Sequence, residues 1–437
     1  MERKIAKTLE RWKGSGHRKP LLLHGARQVG KTYSVLEFGR THYRSTLYVS
    51  LEDSREYAAV FDRDLDPDRI VRELAALTGQ TVAADDTLIV FDEIQASPRA
   101  LTSLKYFAEG RTAYHVIATG SLLGIAVAQK NEAYSFPVGK VDIVPMFPMD
   151  FEEFCWALGQ KPLLDLIREA NAAQTATPAH QRALDLYRQH RAIGGMPEVV
   201  DTFVRQDDLN NVVAAQKRLN DSAIADMAKY AMPAQTARIM SAWASMPAQL
   251  AKDNHRFQYS LIRPGARASQ YEWAIQWLTS AGLVTRVPLT TQGRIPLAAH
   301  IDPGSFKLYL YDTGVLATKL EIPLNQLINA PHLLGGFAGA LTENYVAQAL
   351  TASHITPYFW ASPGKAEVDF VYQTPDGDIV PLEVKAGDNV RSKSLTRFIE
   401  LYHPPQAIRV STRNFGTENG IRSLPLYALW LLAEKVG

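Results

Sequence analysis

The sequence predicts an α/β protein built on a parallel sheet, and three observations predict it. The stretch Gly25-Ala26-Arg27-Gln28-Val29-Gly30-Lys31-Thr32 has P-loop spacing: Gly, four residues, then Gly-Lys-Thr. It lies between an apolar run, Leu21-Leu22-Leu23-His24, and a segment, Tyr33 to Phe38, that continues as a helix. Further short apolar runs, Thr46 to Leu51, Thr87 to Phe91 and His115 to Ala118, alternate with helical stretches. The Thr87 run ends in Asp92-Glu93, sixty residues after Thr32. Strands alternating with helices give a parallel sheet with right-handed crossovers, its ligand at the carboxyl ends of the strands.

The chemistry follows from the loop's geometry. Gly25 and Gly30 let the backbone turn tightly, so that the N–H groups of residues 25–32, through Ala26, Arg27, Gln28 and Val29, point inward at phosphate oxygens. The following helix adds the partial positive charge of its N-terminus. Lys31 would reach the β- and γ-phosphates of ATP, and the Thr32 hydroxyl would bind Mg²⁺. Asp92, at the end of a buried strand, can hold the Mg²⁺ shell. Glu93 would orient or deprotonate the attacking water.

A chain of 437 residues suggests two to four domains, and 46% hydrophobic with 21% charged residues describes ordinary globular protein. Net charge is +2, which excludes strong polyelectrolyte character. Residues 1–31 nevertheless hold nine Lys or Arg against Glu2 and Glu10, a balance of +7 that can meet phosphates, though a solvated helix face accounts for it more simply. Cys155 is the single cysteine, so no intramolecular disulfide forms, in keeping with a reducing cytosol. The first twenty residues lack the apolar core of a signal peptide. The longest apolar stretch, Leu424 to Ala433, is about half of what a bilayer span needs. The expectation is a soluble, cytoplasmic protein with no membrane partner.

Between the second and third strands, Asp66 caps a helix that Pro67 opens; Ile70, Leu74 and Leu77 recur along one face, and Gly79 ends it. The fourth strand, from His115, runs into Thr119-Gly120-Ser121. Thr119 or Ser121 suits a polar contact to the γ-phosphate; a turn with a helix cap explains both residues as well.

Segments 25–32, Leu88 to Gln95, Ile117 to Leu123 and Met146 to Phe154, in that order, resemble a large group of prokaryotic AAA-type ATPases. The resemblance covers nearly the whole chain. It implies a P-loop AAA-type core over 1–149, a helical lid region over 150–255, a winged helix over 256–325, and a PD-(D/E)XK restriction-endonuclease-like α/β domain over 330–437. Members often carry Gly-Arg where this chain reads Gly139-Lys140, and lysine lacks the planar fork of an arginine finger. Arg99, Arg111 and Arg191 stay open for that role. AAA-type sites are often completed by a neighbour's arginine, so the resemblance also implies a homo-oligomer.

Residues 150 to about 255 read as helices starting at Asp150, with a loop over Gln174 to Pro178 and helices over His180 to Arg191 and Leu209 to Ala228. Between these last two, Gly194 to Glu198 is a lid element near the adenine by resemblance, or a helix stop followed by a proline-led helix start. Tyr271 to Leu278 is a helix, and Gly282 to Val287 with Phe306 to Tyr311 make a two-stranded wing. Residues 252–319, Lys307 among them, hold eight Lys or Arg against four acids, a balance of +4 that permits contact with DNA phosphates; a winged helix serving only as a packing module is the alternative.

In the last domain Ala340 to Val346 is helical, and Glu367 to Tyr372 and Val380 to Lys385 are strands. Glu343, Asp369, Glu383 and Lys385 stand at the nuclease positions by resemblance. It makes Asp369 and Glu383 Mg²⁺ ligands, Glu343 a support of the metal shell, and Lys385 the group that positions the water. Pairing register can be argued from the turn. A three-residue loop, Pro375-Asp376-Gly377, pairs Thr374 with Asp378 and sets Val368, Phe370 and Tyr372 opposite Val384, Leu382 and Val380. Asp369 then faces Glu383, and a one-residue slip would mix apolar and charged faces. The whole reads as a Mg²⁺-dependent ATPase coupled to a nuclease-like, DNA-interacting domain. The alternative is a nucleotide-dependent switch or scaffold whose nuclease-like domain binds partners without cleaving.

Overall fold

The computed structural model describes residues 1–110, 114–121, 137–230, 233–252, 254–362, 364, 366–387 and 393–435. They form two compact units, one of residues 2–147 with 280–282 and one of residue 1 with 148–279 and 283–437.

The first unit holds five strands: β1 (Leu21–His24), β2 (Ser45–Ser50), β3 (Thr87–Asp92), β4 (His115–Gly120) and β5 (Asp142–Pro145). They lie in the order β2-β3-β4-β1-β5, and every pair is parallel. All six residues of β3 and of β4 are buried, which is why both read as unbroken apolar runs. One side of the sheet packs Leu47, Val49, Ile89, Phe91 and Val116 against Ile70, Leu74, Leu104 and Phe107 of the crossover helices. Phe91 meets Phe61 and Phe107 edge to face at 5.5 and 5.8 Å. The helix Pro67–Thr78 is bounded as its sequence predicts: the Asp66 side chain accepts from Asp68 N–H, Pro67 fills the first turn, and Gly79 ends it at φ +67°.

The second unit begins with helices. Asp150 and Glu153 form a reciprocal capping box at the start of Phe151–Ala157. The helix His180–Ile193 stops at Gly194, φ +83°, and Pro197 opens the next helix, Pro197–Gln206. Asp312 explains the stop: its carboxylate accepts from Gly195 N–H at 2.6 Å and from Val315 N–H at 3.1 Å. A Cβ on Gly194 would lie 2.3 Å from that carboxylate. This geometry accords with the helix stop; nothing in it bears on adenine.

Eight strands follow: β6 (Val284–Thr290), β7 (Ile301–Leu310), β8 (Tyr358–Ala361), β9 (Glu367–Gln373), β10 (Ile379–Val384), β11 (Ala407–Ser411), β12 (Gly416–Glu418) and β13 (Ile421–Pro425). They form one mixed sheet in the order β12-β13-β11-β10-β9-β8-β6-β7. The two strands expected to pair do so, as the antiparallel pair β6/β7, but the pair does not stand alone. β6 gives its second edge to β8, with Leu289 opposite Phe359 and Thr290 opposite Trp360. A lone two-stranded ribbon is marginal in water, and pairing with β8 supplies the missing edge. The sheet therefore runs across the expected boundary at 325–330.

The β9/β10 hairpin takes the predicted register, Phe370 opposite Leu382 and Tyr372 opposite Val380. Thr374 N–H donates to Asp378 C=O at 2.9 Å, closing the three-residue loop, and Gly377 holds φ +95°. Among the described residues no helix is long and apolar enough to cross a membrane.

Candidate functional site

In the first unit the P-loop leaves the carboxyl end of β1 and enters the helix Lys31–His42 through Gly30, which is left-handed at φ +95°. A Cβ on Gly25 would lie 2.1 Å from the Met146 carbonyl oxygen, so only glycine fits where the loop passes that backbone. Lys31 is 6% exposed and folds back over the loop, donating to Gly25 C=O at 3.0 Å and Ala26 C=O at 2.8 Å. Burial and then the Lys31 charge hold His24 below the usual imidazole range.

Asp92 gathers the rest. Thr32 Oγ1 donates to its carboxylate, 3.0 Å from both oxygens. Thr119 Oγ1 donates to Oδ1, and Tyr48 OH donates to Oδ2 at 2.8 Å. Burial, then the Asp92 carboxylate, pushes the Tyr48 phenol above its ordinary value. Glu93 sits at φ +50° just past the strand and accepts from Gln95 Nε2 and, at 3.3 Å, from Ser121 Oγ. The two polar candidates at the end of β4 thus divide: Thr119 meets Asp92, and Ser121 meets Glu93. Of the other loop residues, Arg27 turns to Glu52 at 3.1 Å, and Gln28 holds φ +63°.

Sequence reasoning missed Tyr48 and Arg3. Tyr48 alternates with buried residues in β2, a position that carries no signal of its own. Arg3 is 8% exposed and donates to Val29 C=O and Phe147 C=O, both at 2.7 Å, bracing the loop from below. Its sequence neighbourhood, the basic cluster of residues 1–31, carries no sign of that role.

The arginine candidates also separate. Arg191 is 4% exposed, with Nη1 donating to Thr342 Oγ1 at 3.3 Å, so it lies inside its own unit and does not reach outward. Arg99 is exposed, with Nε donating to Phe61 C=O at 2.6 Å. Arg111 lies outside the described residues. Lys140 pairs with Glu109 at 3.1 Å.

In the second unit the acids of β9, β10 and the helix Phe337–Ala352 come together, but with built-in partners. Asp369 Oδ2 accepts from Val384 N–H at 2.8 Å. Glu383 Oε1 pairs with Lys385 Nζ at 2.7 Å, and among the described residues its buried Oε2 has no partner. Glu343 Oε2 accepts from Tyr309 OH at 2.9 Å, lies 2.9 Å from His255 Nδ1, and lies 3.6 Å from Lys307 Nζ. Glu367 pairs with Lys307 at 2.8 Å through Oε1 and with Arg256 at 2.8 Å through Oε2. Burial, then Glu383 and Glu343, pushes the Asp369 carboxyl well up. Burial would also raise Glu343, but Lys307 and His255 overcome it and hold it low. Among the described residues no group of three or more His, Cys, Asp or Glu is placed to hold a metal ion. Three oxygens of the expected carboxylate shell are thus already held: Glu343 Oε2 by Tyr309 and His255, Asp369 Oδ2 by Val384 N–H, and Glu383 Oε1 by Lys385.

Comparison with known proteins places an AAA domain at residues 17–155, a domain of unknown function (DUF8612) at 184–326 and another (DUF4143) at 338–429. No curated protein sequence matches the chain. Among solved structures, the Walker-type ATPase PABY2304 of Pyrococcus abyssi aligns at 16% identity and a TM-score of 0.42, over 72% of this chain and 94% of that one. The Aeropyrum pernix ORC1 protein, in complex with DNA, aligns at 14% and 0.28 over 74% and 91%. The ORC2 protein of the same organism, as ADPNP–ADP complexes, aligns at 15% and 0.32 over 75% and 94%. The sequence match and the site geometry agree: the N-terminal part of this chain is an AAA-type P-loop ATPase domain.

Proposed function

We propose that this chain binds Mg²⁺-ATP at residues 25–32 and hydrolyses it, and that its nuclease-like C-terminal domain contacts DNA. One observation carries the first part: the Asp92 carboxylate draws in the hydroxyls of Thr32 and Thr119 from separate elements. Two hydroxyls and a carboxylate are hard oxygen donors, the set that suits Mg²⁺. Thr32 and Asp92 would hold the ion, which when bound would neutralise charge on the transferring phosphoryl oxygens. Lys31 leaves the loop carbonyls for the β- and γ-phosphates, and the loop N–H groups donate to the phosphate oxygens. Glu93 accepts the water's proton, and Ser121 and Gln95 fix where that carboxylate points.

Two substitutions test this. Lys31→Ala should weaken binding of a fluorescent ATP analogue, because the one ammonium aimed at the phosphates is gone. Glu93→Gln should retain binding and slow turnover by about 10²-fold or more. Unchanged turnover in Glu93→Gln removes Glu93 from the catalytic role.

For DNA contact the free charge is smaller than the sequence suggested. Lys307 is buried, Arg256 pairs with Glu367, and Arg286 pairs with Glu272. Arg263, Arg267 and Arg294 stay exposed and would meet phosphates. A second reading is favoured by the acid cluster described above, where the buried Lys307 ammonium stands between Glu343 and Glu367. In that reading ATP drives a switch, and the C-terminal domain holds its partner without cutting. Incubation with DNA and Mg²⁺ tests the second reading, because cleavage of the DNA would end it.

A further inference from the structure

By sequence, Lys307 is one of the basic residues of 252–319 that phosphate contact would draw on. Instead it is 1% exposed, in the middle of β7. Its Nζ lies 2.8 Å from Glu367 Oε1 and 3.6 Å from Glu343 Oε2. Phe359 covers it, with the ring centroid 5.1 Å from Nζ. A lysine taken wholly out of water is tolerated only when paired, and here two carboxylates from different elements converge on it.

The neighbouring groups complete the balance. Arg256 holds the other oxygen of Glu367, His255 and Tyr309 hold Glu343, and Lys385 holds Glu383. Four carboxylates therefore stand with three permanent cations and a histidine. A divalent ion entering between Glu343 and Asp369 would face a fixed ammonium within a few ångströms in a dry interior, where like charges repel strongly. It would also have to displace the donors on Glu343 Oε2 and Asp369 Oδ2.

We propose that Lys307 is a built-in cation standing where the nuclease-like acid cluster would otherwise take a divalent metal, so that the C-terminal domain keeps its acids together without metal. The proposal deepens the switch reading and rests on it for the statement that no DNA is cut.

The test is Mn²⁺ binding to the nucleotide-free full chain, followed by electron paramagnetic resonance. Wild type and Asp369→Asn should bind Mn²⁺ identically, since no site passes through the acids. Lys307→Met keeps the length of the side chain and removes its charge. It should gain a Mn²⁺ site at least ~10-fold tighter than any in wild type, a difference of about 1.4 kcal/mol. The double variant Lys307→Met/Asp369→Asn should lose that site. Wild-type Mn²⁺ binding that disappears in Asp369→Asn overturns the proposal, as does a folded Lys307→Met that gains no site. If Lys307→Met does not fold, the comparison of wild type with Asp369→Asn decides alone. DNA cleavage assayed in the same samples separates the two ideas. Cleavage that persists in Asp369→Asn removes the switch reading and leaves Lys307 in its role. Mn²⁺ held through Asp369 with no cleavage does the reverse.

Discussion

At the scale of single residues, the cluster proposed to hold nucleotide was legible where chemistry is tied to spacing. Gly25, Gly30, Lys31, Thr32, Asp92 and Glu93 could be named because phosphate and Mg²⁺ demand those types at those intervals. Tyr48 and Arg3 could not, because a hydroxyl or guanidinium that acts by bracing another residue leaves no fixed spacing behind. The same is true of His190, which carries a pH dependence. It is 1% exposed, and its Nε2 lies 3.0 Å from Met149 C=O. Burial holds it down to about 4 against the usual 6.5, so the unfolded chain takes up a proton that the folded chain refuses. Its contribution to stability is complete above pH 6.5 and is lost as pH falls toward 4. Asp312, raised to about 6 by burial, acts in the opposite sense between that value and 3.8, so the two must be separated by substitution. His190→Gln keeps a donor for Met149 and removes the titration. Urea midpoints of the variant should therefore fall less steeply than those of wild type between pH 6.5 and 4; parallel curves would clear His190.

At the scale of elements, the β9/β10 hairpin shows how far pattern reaches. Alternation of apolar and charged residues fixed the register, and the Pro-Asp-Gly loop fixed the turn, so the pairing of Phe370 with Leu382 could be written down in advance. Gly377 sits at φ +95°, and a Cβ there would lie 3.3 Å from Ile295 Cδ1. Gly377→Ala should cost about 1–2 kcal/mol, mostly from the left-handed backbone, read as a lower thermal midpoint. An unchanged midpoint would mean the loop relaxes into another turn. Pattern failed at β6 and β7 because a strand's own sequence says which face is buried but not which neighbour takes its edge. Lys307 was misjudged for the same reason: its burial is decided by β9 and the helix Phe337–Ala352, both far along the chain.

At the scale of the whole molecule, the formal charge of +2 conceals extensive internal pairing, and arginines counted as free in the sequence prove to be spent inside the fold. Arg191, buried in its own unit, is withdrawn as a candidate to complete a neighbour's site, whereas Arg99 is exposed. We expect self-association of the full chain when a non-hydrolysable ATP analogue is bound. Light scattering at concentrations that support turnover checks this, and a monomer mass there would end the idea. The eight-stranded sheet also bears on ancestry. The two C-terminal family matches, 184–326 and 338–429, look like separate heritable pieces, yet β6 and β7 belong to the first and β8 to β13 to the second. Recombination in the short gap between them would hand one descendant a sheet with an unpaired β8 edge and acids stripped of Lys307. The two pieces share one sheet, so we expect the two matches to occur together in other chains.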